Sequence, residues 1–394
     1  PVGVVTLRFV EDEATDVQPG TDIALRSPKF DLLAVMTVEE VYEWDKERVA
    51  LQVLGTLDPS HPTVREMLYS GKRAVSGKLQ VLQKPQHFDF KSVRLTPAQT
   101  REHLGQYGCN NVVAFQTCDL VHRVHEEFVK QVVESVDGAL LFHPVVGAID
   151  FTDVDSYTRV RTYQALTRYF DRERTLLSLL PLAMRLAGPR EALWYALINR
   201  NYGANYLIVD YSQTGPSNGK LEYDPDETQA LVKQHEDELE VKVVQLRPED
   251  SVEQPAGFIP RTQVRTEYLD TGTALPEWFT RPEAAEILVE RHPPRSRQGF
   301  CVWFTGLSGS GKSAIADVLN VKLLENGYRA TVLDSDVIRT HLSKGLGFSK
   351  KDRDTNVCRI GFVASEIVRH GGVVICAAIS PYIATREQVR SMFK

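Results

Sequence analysis

Residues 300–313 read FCVWFTGLSGSGKS: an apolar run, a glycine-rich turn, then the start of a helical pattern. Gly306, Gly311, Lys312 and Ser313 stand at the G-x-x-x-x-G-K-[ST] spacing of a loop whose backbone N–H groups curl around phosphate. Ser308 and Gly309 complete the loop. Glycine permits the curl, and the following helix N-terminus adds partial positive charge. Lys312 is placed to reach the β- and γ-phosphates of ATP, and the Ser313 hydroxyl to hold Mg²⁺. Further on, Asp334 and Asp336 follow an apolar run at 330–333. Carboxylates there can position Mg²⁺ or take a proton from an attacking hydroxyl, although Asp334 can equally cap a helix. Upstream, His122 and His125 stand three apart on an expected helix, so both rings can face one ligand. A lone histidine is more often packed in a core; the pair, at a strand-to-helix junction, points to a nucleotide.

These residues need scaffolds, and 394 residues suffice for two or three domains with their own cores. Hydrophobic content of 42% and charged content of 25% are those of an ordinary globular protein. A net charge of −6 gives no basic footprint, so nucleic acid is not an expected partner. Five cysteines, odd in number and without a C-x-x-C pair, suggest reduced thiols rather than a disulfide framework. No signal peptide opens the sequence and no apolar run nears the roughly 20 residues of a membrane span, so a cytoplasmic protein without a membrane partner is expected.

Residues 1–95 mix short alternating segments with turn clusters and read as a β-rich module, with a helix expected near 38–44. From Thr96 the texture changes: helices at 97–106, 120–136, 156–170 and 190–199 alternate with strands at 112–115, 139–142 and 206–209. Such alternation implies a parallel α/β sheet with ligands at the carboxyl ends of its strands. A charged helical segment covers 222–240, and residues 291–297 (RHPPRSR) read as a linker. After the phosphate loop, helices at 313–326 and 352–369 alternate with strands at 330–333 and 373–377. The part after the linker, ending at Lys394, is small for a kinase domain and reads as incomplete.

The runs GLSGSGKS, VLDSDVIRTHLSKGLGFSKKDRDTN and RIGFVA resemble adenylyl sulfate (APS) kinase, which phosphorylates the ribose 3′-hydroxyl of APS with ATP to give PAPS. The resemblance covers residues 298–394 and implies Asp336 as base for that hydroxyl, with Asp334 beside it and Lys312 on the phosphates. It implies Arg339, Arg353 and Asn356 on the phosphosulfate and ribose, Phe348 stacked on the adenine, and Ile379 and Ser380 lining that pocket. Planar guanidinium groups suit such an anion. Ser335 replaces a glycine usual between the aspartates, which requires a backbone without positive φ, and Cys358 stands where an arginine is frequent.

Residues 1–290 resemble ATP sulfurylase, through VVAFQT, HRVHEE, HPVVG, PLAMRLAGPREALW and ALPEWF. Together the two halves resemble a bacterial bifunctional PAPS synthetase. The implied organisation is a PUA-like β-rich module (1–95), a nucleotidyl-transferase α/β domain (96–230), a sulfurylase subdomain (231–290), a linker (291–297) and a P-loop kinase α/β domain (298–394). The upstream pocket departs from the family pattern. Where the family has Q-T-R-N-P, this chain has Gln116, Thr117, Cys118, Asp119 and Leu120; where it has G-R-D-H-A-G-P, Asp210 and Tyr211 begin the run. Both sulfate-gripping arginines are replaced, and two carboxylates are added. Ile259-Pro260-Arg261-Thr262 replaces the family's I-S-G-T loop. Each lost charge-assisted pair costs about 1.5–3 kcal/mol, so little or no sulfate adenylylation is expected unless Arg123, Arg185 or Arg190 compensates. The expected function is an APS kinase with ATP as co-substrate, Mg²⁺ as cofactor, and assembly as a homo-oligomer. The alternatives are a fully bifunctional enzyme or a non-catalytic nucleotide-binding protein.

Overall fold

The computed structural model describes residues 7–9, 17–27, 29–147, 154–210, 225–246, 259 and 263–393. They form two units, residues 1–259 with 276–287, and residues 260–275 with 288–394. Tyr211 and residues 260–262 lie outside the described residues, as does most of the segment 1–16.

In the first unit, strands β1 (Leu7–Phe9), β2 (Asp22–Arg26), β3 (Leu32–Glu43) and β4 (Arg73–Val81) pair antiparallel in the order β1-β4-β3-β2. Met36, Val38 and Val75 bury one face of that sheet. Residues 38–44, expected as a helix, belong almost wholly to β3 instead. The β3–β4 register shifts between Val38 and Glu40, and this bulge puts two exposed glutamates in succession. The interrupted alternation imitates a helical period. The helix comes later: α1 (Lys46–Leu54) is capped by Asp45, and α2 (Pro62–Tyr69) by His61.

The same unit contains a parallel sheet. α3 (Pro97–Gln106), started by a Thr96–Gln99 capping box, leads to β5 (Val112–Phe115), α4 (Arg123–Ser135), β6 (Ala139–Phe142), α5 (Ser156–Leu166) and β7 (Thr175–Leu177). Then come α6 (Pro189–Asn201), β8 (Tyr206–Asp210), α7 (Pro225–Gln234), α8 (Glu236–Leu239) and β9 (Lys242–Leu246). The strand order is β7-β6-β5-β8-β9. Every residue of β5 and β6 is buried, as befits strands covered on both faces. The chain winds one way from β5 to β7 and then crosses to β8, so the switch point lies beside β5, where α/β sheets bind ligands. β7 and β9 were not read from sequence; three and five residues are too short for a clear period. α9 (Pro282–Arg291) follows.

In the second unit, β10 (Cys301–Phe304), α10 (Lys312–Glu325), β11 (Ala330–Asp334), α11 (Ser335–His341), α12 (Lys350–Arg369), β12 (Val373–Ala377) and α13 (Ile383–Ser391) build a parallel sheet ordered β10-β12-β11. Leu333, Ile360, Ala364, Val374 and Cys376 are among its buried core. No helix among the described residues is long and apolar enough to cross a membrane.

Candidate active sites

The glycine-rich loop leaves the carboxyl end of β10 and enters α10 through Gly311, whose φ of +88° only glycine adopts readily. Lys312 opens that helix, and its Nζ donates to the Leu307 carbonyl at 2.9 Å, across the loop. Ser313 Oγ donates to Asp334 Oδ2 at 2.7 Å, while Asp334 Oδ1 accepts the Asp336 N–H at 2.8 Å. Asp334 therefore caps α11 and faces the phosphate loop at once; the two roles weighed for it coexist. Asp336 stands exposed on the first turn of α11. Ser335 is helical and free of positive φ, as its side chain requires.

The groups expected to meet the acceptor converge from α11 and α12. The Arg339 guanidinium lies 4.7 Å from the Phe348 ring centroid and donates to the Gly347 carbonyl at 3.1 Å. Arg353 Nε donates to the Phe348 carbonyl at 2.9 Å. Phe348 is 74% exposed, with Arg339 against its ring and Arg353 on its carbonyl, a surface suited to a base attached to an anion. Asn356 is buried and donates to Ser335 Oγ at 3.5 Å, which ties α12 to the Asp334–Asp336 segment. Ile379 and Ser380 leave β12 and are held from the loop side, by Thr305 Oγ on the Ile379 carbonyl at 2.7 Å. Cys358 lies on another face of α12, in a groove of about 1040 Å³ with Leu342, Lys351, Arg359 and Phe362. Burial, with Asp354 nearby, pushes its thiol pKa up.

A cation fits beside Ser313. Its hydroxyl and the Asp334 carboxylate are hard oxygen donors, which suit Mg²⁺ that keeps phosphate and water as its other ligands. No group of three or more His, Cys, Asp or Glu residues able to hold a metal occurs among the described residues.

The upstream constellation forms at the switch point. Gln116 and Thr117 follow β5, and His122 and His125 start α4. The His122 N–H donates to His125 Nδ1 at 3.1 Å, and the His122 ring stacks on Phe279 at 4.0 Å. The Arg123 N–H reaches the Phe279 carbonyl at 3.0 Å. The structure thus joins three separate runs: VVAFQT, HRVHEE and ALPEWF. Behind them Glu126, almost fully buried, takes two bonds from Arg281 (2.9 and 2.7 Å) and one from Lys130 at 2.5 Å. Burial pushes this carboxyl up, but the three bonds outweigh it and hold its pKa below the usual range.

Cys118 packs in the apolar cluster with Val145, Leu180, Met184 and Tyr195, and its carbonyl accepts a bond from Arg159 Nη1. Arg159, on α5, is buried, and its Nε has no hydrogen-bond partner among the described residues. Sequence reading missed it because a helical arginine is usually solvated, and the run SYTRVRTYQAL of α5 carries no strong apolar stripe to mark its buried face. Of the proposed compensating arginines, Arg123 pairs with Glu127 at 3.5 Å and Arg185 lies over Trp194. Asp119 follows Cys118, with its carbonyl bound by the Tyr163 hydroxyl at 2.7 Å, and Asp210 ends β8.

Beneath the pocket runs a buried polar chain. His143 Nδ1 donates to Asn199 Oδ1 at 2.8 Å, and Asn199 Nδ2 donates to Gln116 Oε1 at 2.6 Å. The Gln116 NH₂ group is itself buried and has no hydrogen-bond partner among the described residues. Burial lowers the His143 pKa from 6.5 to about 4, so the ring is neutral at pH 7. Between those values the unfolded chain binds the extra proton. The stabilisation is therefore complete above about pH 6.5 and is lost as pH falls towards about 4, by about 3 kcal/mol. Thermal melts at pH 7 and 4.5 check this: the wild-type loss should exceed that of His143→Gln.

Three family descriptions match the chain: ATP-sulfurylase over residues 91–291, adenylylsulphate kinase over 298–394, and PUA-like domain over 4–84. A protein of Phaeosphaeria nodorum named sulfate adenylyltransferase is 40% identical over 394 residues, spanning 95% of this chain and 68% of its own length. One of the same name from Aspergillus terreus is 41% identical over 403 residues, with 95% and 69% covered. A solved structure described as a hexameric APS kinase from Thiobacillus denitrificans is 33% identical with a TM-score of 0.75, covering 99% of this chain and 73% of that one. The named relatives are fungal, so the bacterial qualifier drawn from the motifs gains nothing from them.

Proposed function

This chain belongs to the ATP sulfurylase family and carries an APS kinase domain, and from that premise we propose that it transfers the γ-phosphoryl group of ATP to the 3′-hydroxyl of APS, making PAPS. The observation that carries the reading is the 2.7 Å bond from Ser313 to Asp334, whose other oxygen anchors Asp336. It brings the phosphate loop, a metal-ligating pair and a candidate base to one point. Loop N–H groups and Lys312 hold the phosphates in line. Ser313 and Asp334 would hold Mg²⁺ arriving with ATP, which would supply neutralisation of charge on the phosphoryl oxygens. Arg339 and Arg353 grip the phosphosulfate, Phe348 stacks the base, and Asp336 accepts the hydroxyl proton. The Thiobacillus neighbour's description supports both the kinase reading and a homo-oligomer. A cytoplasmic setting agrees with five free thiols.

The upstream module has two readings. Its relatives' shared name favours sulfate adenylyltransferase activity, making the chain bifunctional. The inward-packed Cys118, and a neighbour matched over 99% of this chain and described as a kinase, favour a scaffold without that activity. The comparisons back the first reading better than the loss expected from the motifs. Sulfate-dependent release of pyrophosphate from ATP tests it. We expect turnover that saturates only at high sulfate, since two absent charge-assisted pairs weaken affinity by at least about a hundredfold. Release that sulfate does not stimulate, with PAPS formation intact, would establish the second reading.

A further inference from the structure

The exit of β12 holds a backbone conformation that its sequence disfavours. Ser380 has a φ of +40°, in the left-handed region, and precedes Pro381, whose ring pushes its neighbour towards extended backbone. The residue is 1% exposed. Three side chains from two elements and the loop start converge on this turn. Trp303 Nε1, from β10, donates to Ser380 Oγ at 3.0 Å. Thr305 Oγ, where β10 passes into the phosphate loop, donates to the Ile379 carbonyl at 2.7 Å. Arg386, from α13, donates to the Ser380 carbonyl at 2.8 Å. A strained residue persists where its surroundings over-determine it, and such residues gather at ligand sites.

We propose that Trp303, Thr305 and Arg386 are positioning residues that lock the Ile379–Ser380 turn in this form, and that the lock sets the shape of the pocket for the acceptor nucleotide's base. The inference rests on the APS kinase reading, with Ile379 and Ser380 beside the acceptor. The Ser380 hydroxyl accepts from Trp303 and the residue is almost fully buried, so its part in the pocket is assigned to its backbone. Two of the three braces come from β10 and the first residue after it, where the phosphate loop begins. The acceptor pocket is thus built on the same rigid strand as the donor site.

The test uses the full chain with Trp303→Phe, which keeps an aromatic ring and removes the N–H donor. Losing one neutral hydrogen bond shifts an equilibrium by up to about tenfold. The expected result is a KM for APS raised about that much, a KM for ATP within about twofold, and faster amide exchange at Ile379, Ser380 and Tyr382. Adding Ser380→Gly should bring the KM for APS back most of the way, because glycine holds positive φ without a brace. Equal rises in both KM values, unchanged exchange, or a double variant no better than the single one would overturn the proposal. If the wild-type chain phosphorylates no APS, the acceptor reading fails, and the exchange result alone decides whether the brace exists.

Discussion

Lys312→Ala is expected to lower PAPS formation by on the order of 10³-fold, the loss seen when one preorganised donor to a developing charge is removed. The side chain bonds within the loop itself, to the Leu307 carbonyl at 2.9 Å, and belongs to neither apolar core of this unit. Substitution should therefore shift melting by little, since exposed changes away from structural features stay within about 0.5 kcal/mol. Initial rates with APS and Mg·ATP, beside a thermal melt, check both halves. Turnover within tenfold of wild type would remove the phosphate loop from the chemistry.

Asp336→Asn should lower kcat by about 10²–10⁴-fold, the range of a general base, with both KM values nearly unchanged. The substitution is isosteric, and the backbone N–H that anchors α11 on Asp334 survives it. Asp334→Asn should behave differently. That carboxylate caps α11 and pairs with Ser313; asparagine caps a helix as well as aspartate does, so its replacement should raise the KM for Mg·ATP and change stability little. Equal effects of the two variants would mean that Asp336 is only a part of the cap.

The phosphate loop was legible because its chemistry is local: glycine, lysine and serine at fixed offsets need only a strand before and a helix after, and β10 and α10 supply them. The parallel sheets were legible from β5 and β6, whose continuous burial leaves an unbroken apolar run. The bulge near Glu39 hid most of β3, because two exposed glutamates in succession erase a period of two. Arg159, the His143–Asn199–Gln116 chain and the braces on Ser380 were not legible. Each depends on residues brought together from distant parts of the sequence, as with His143 and Asn199. The replacement at Cys118 was visible in sequence. That its side chain joins an apolar cluster while a buried arginine binds its carbonyl needed the fold.

The most direct measurement gives the purified chain APS and ATP labelled in the γ-phosphoryl group, and locates the label in the product. Transfer to the 3′-oxygen of APS, one label per PAPS formed and dependent on Mg²⁺, is the predicted result. Label recovered only as inorganic phosphate, or none leaving ATP while APS is bound, would contradict the account.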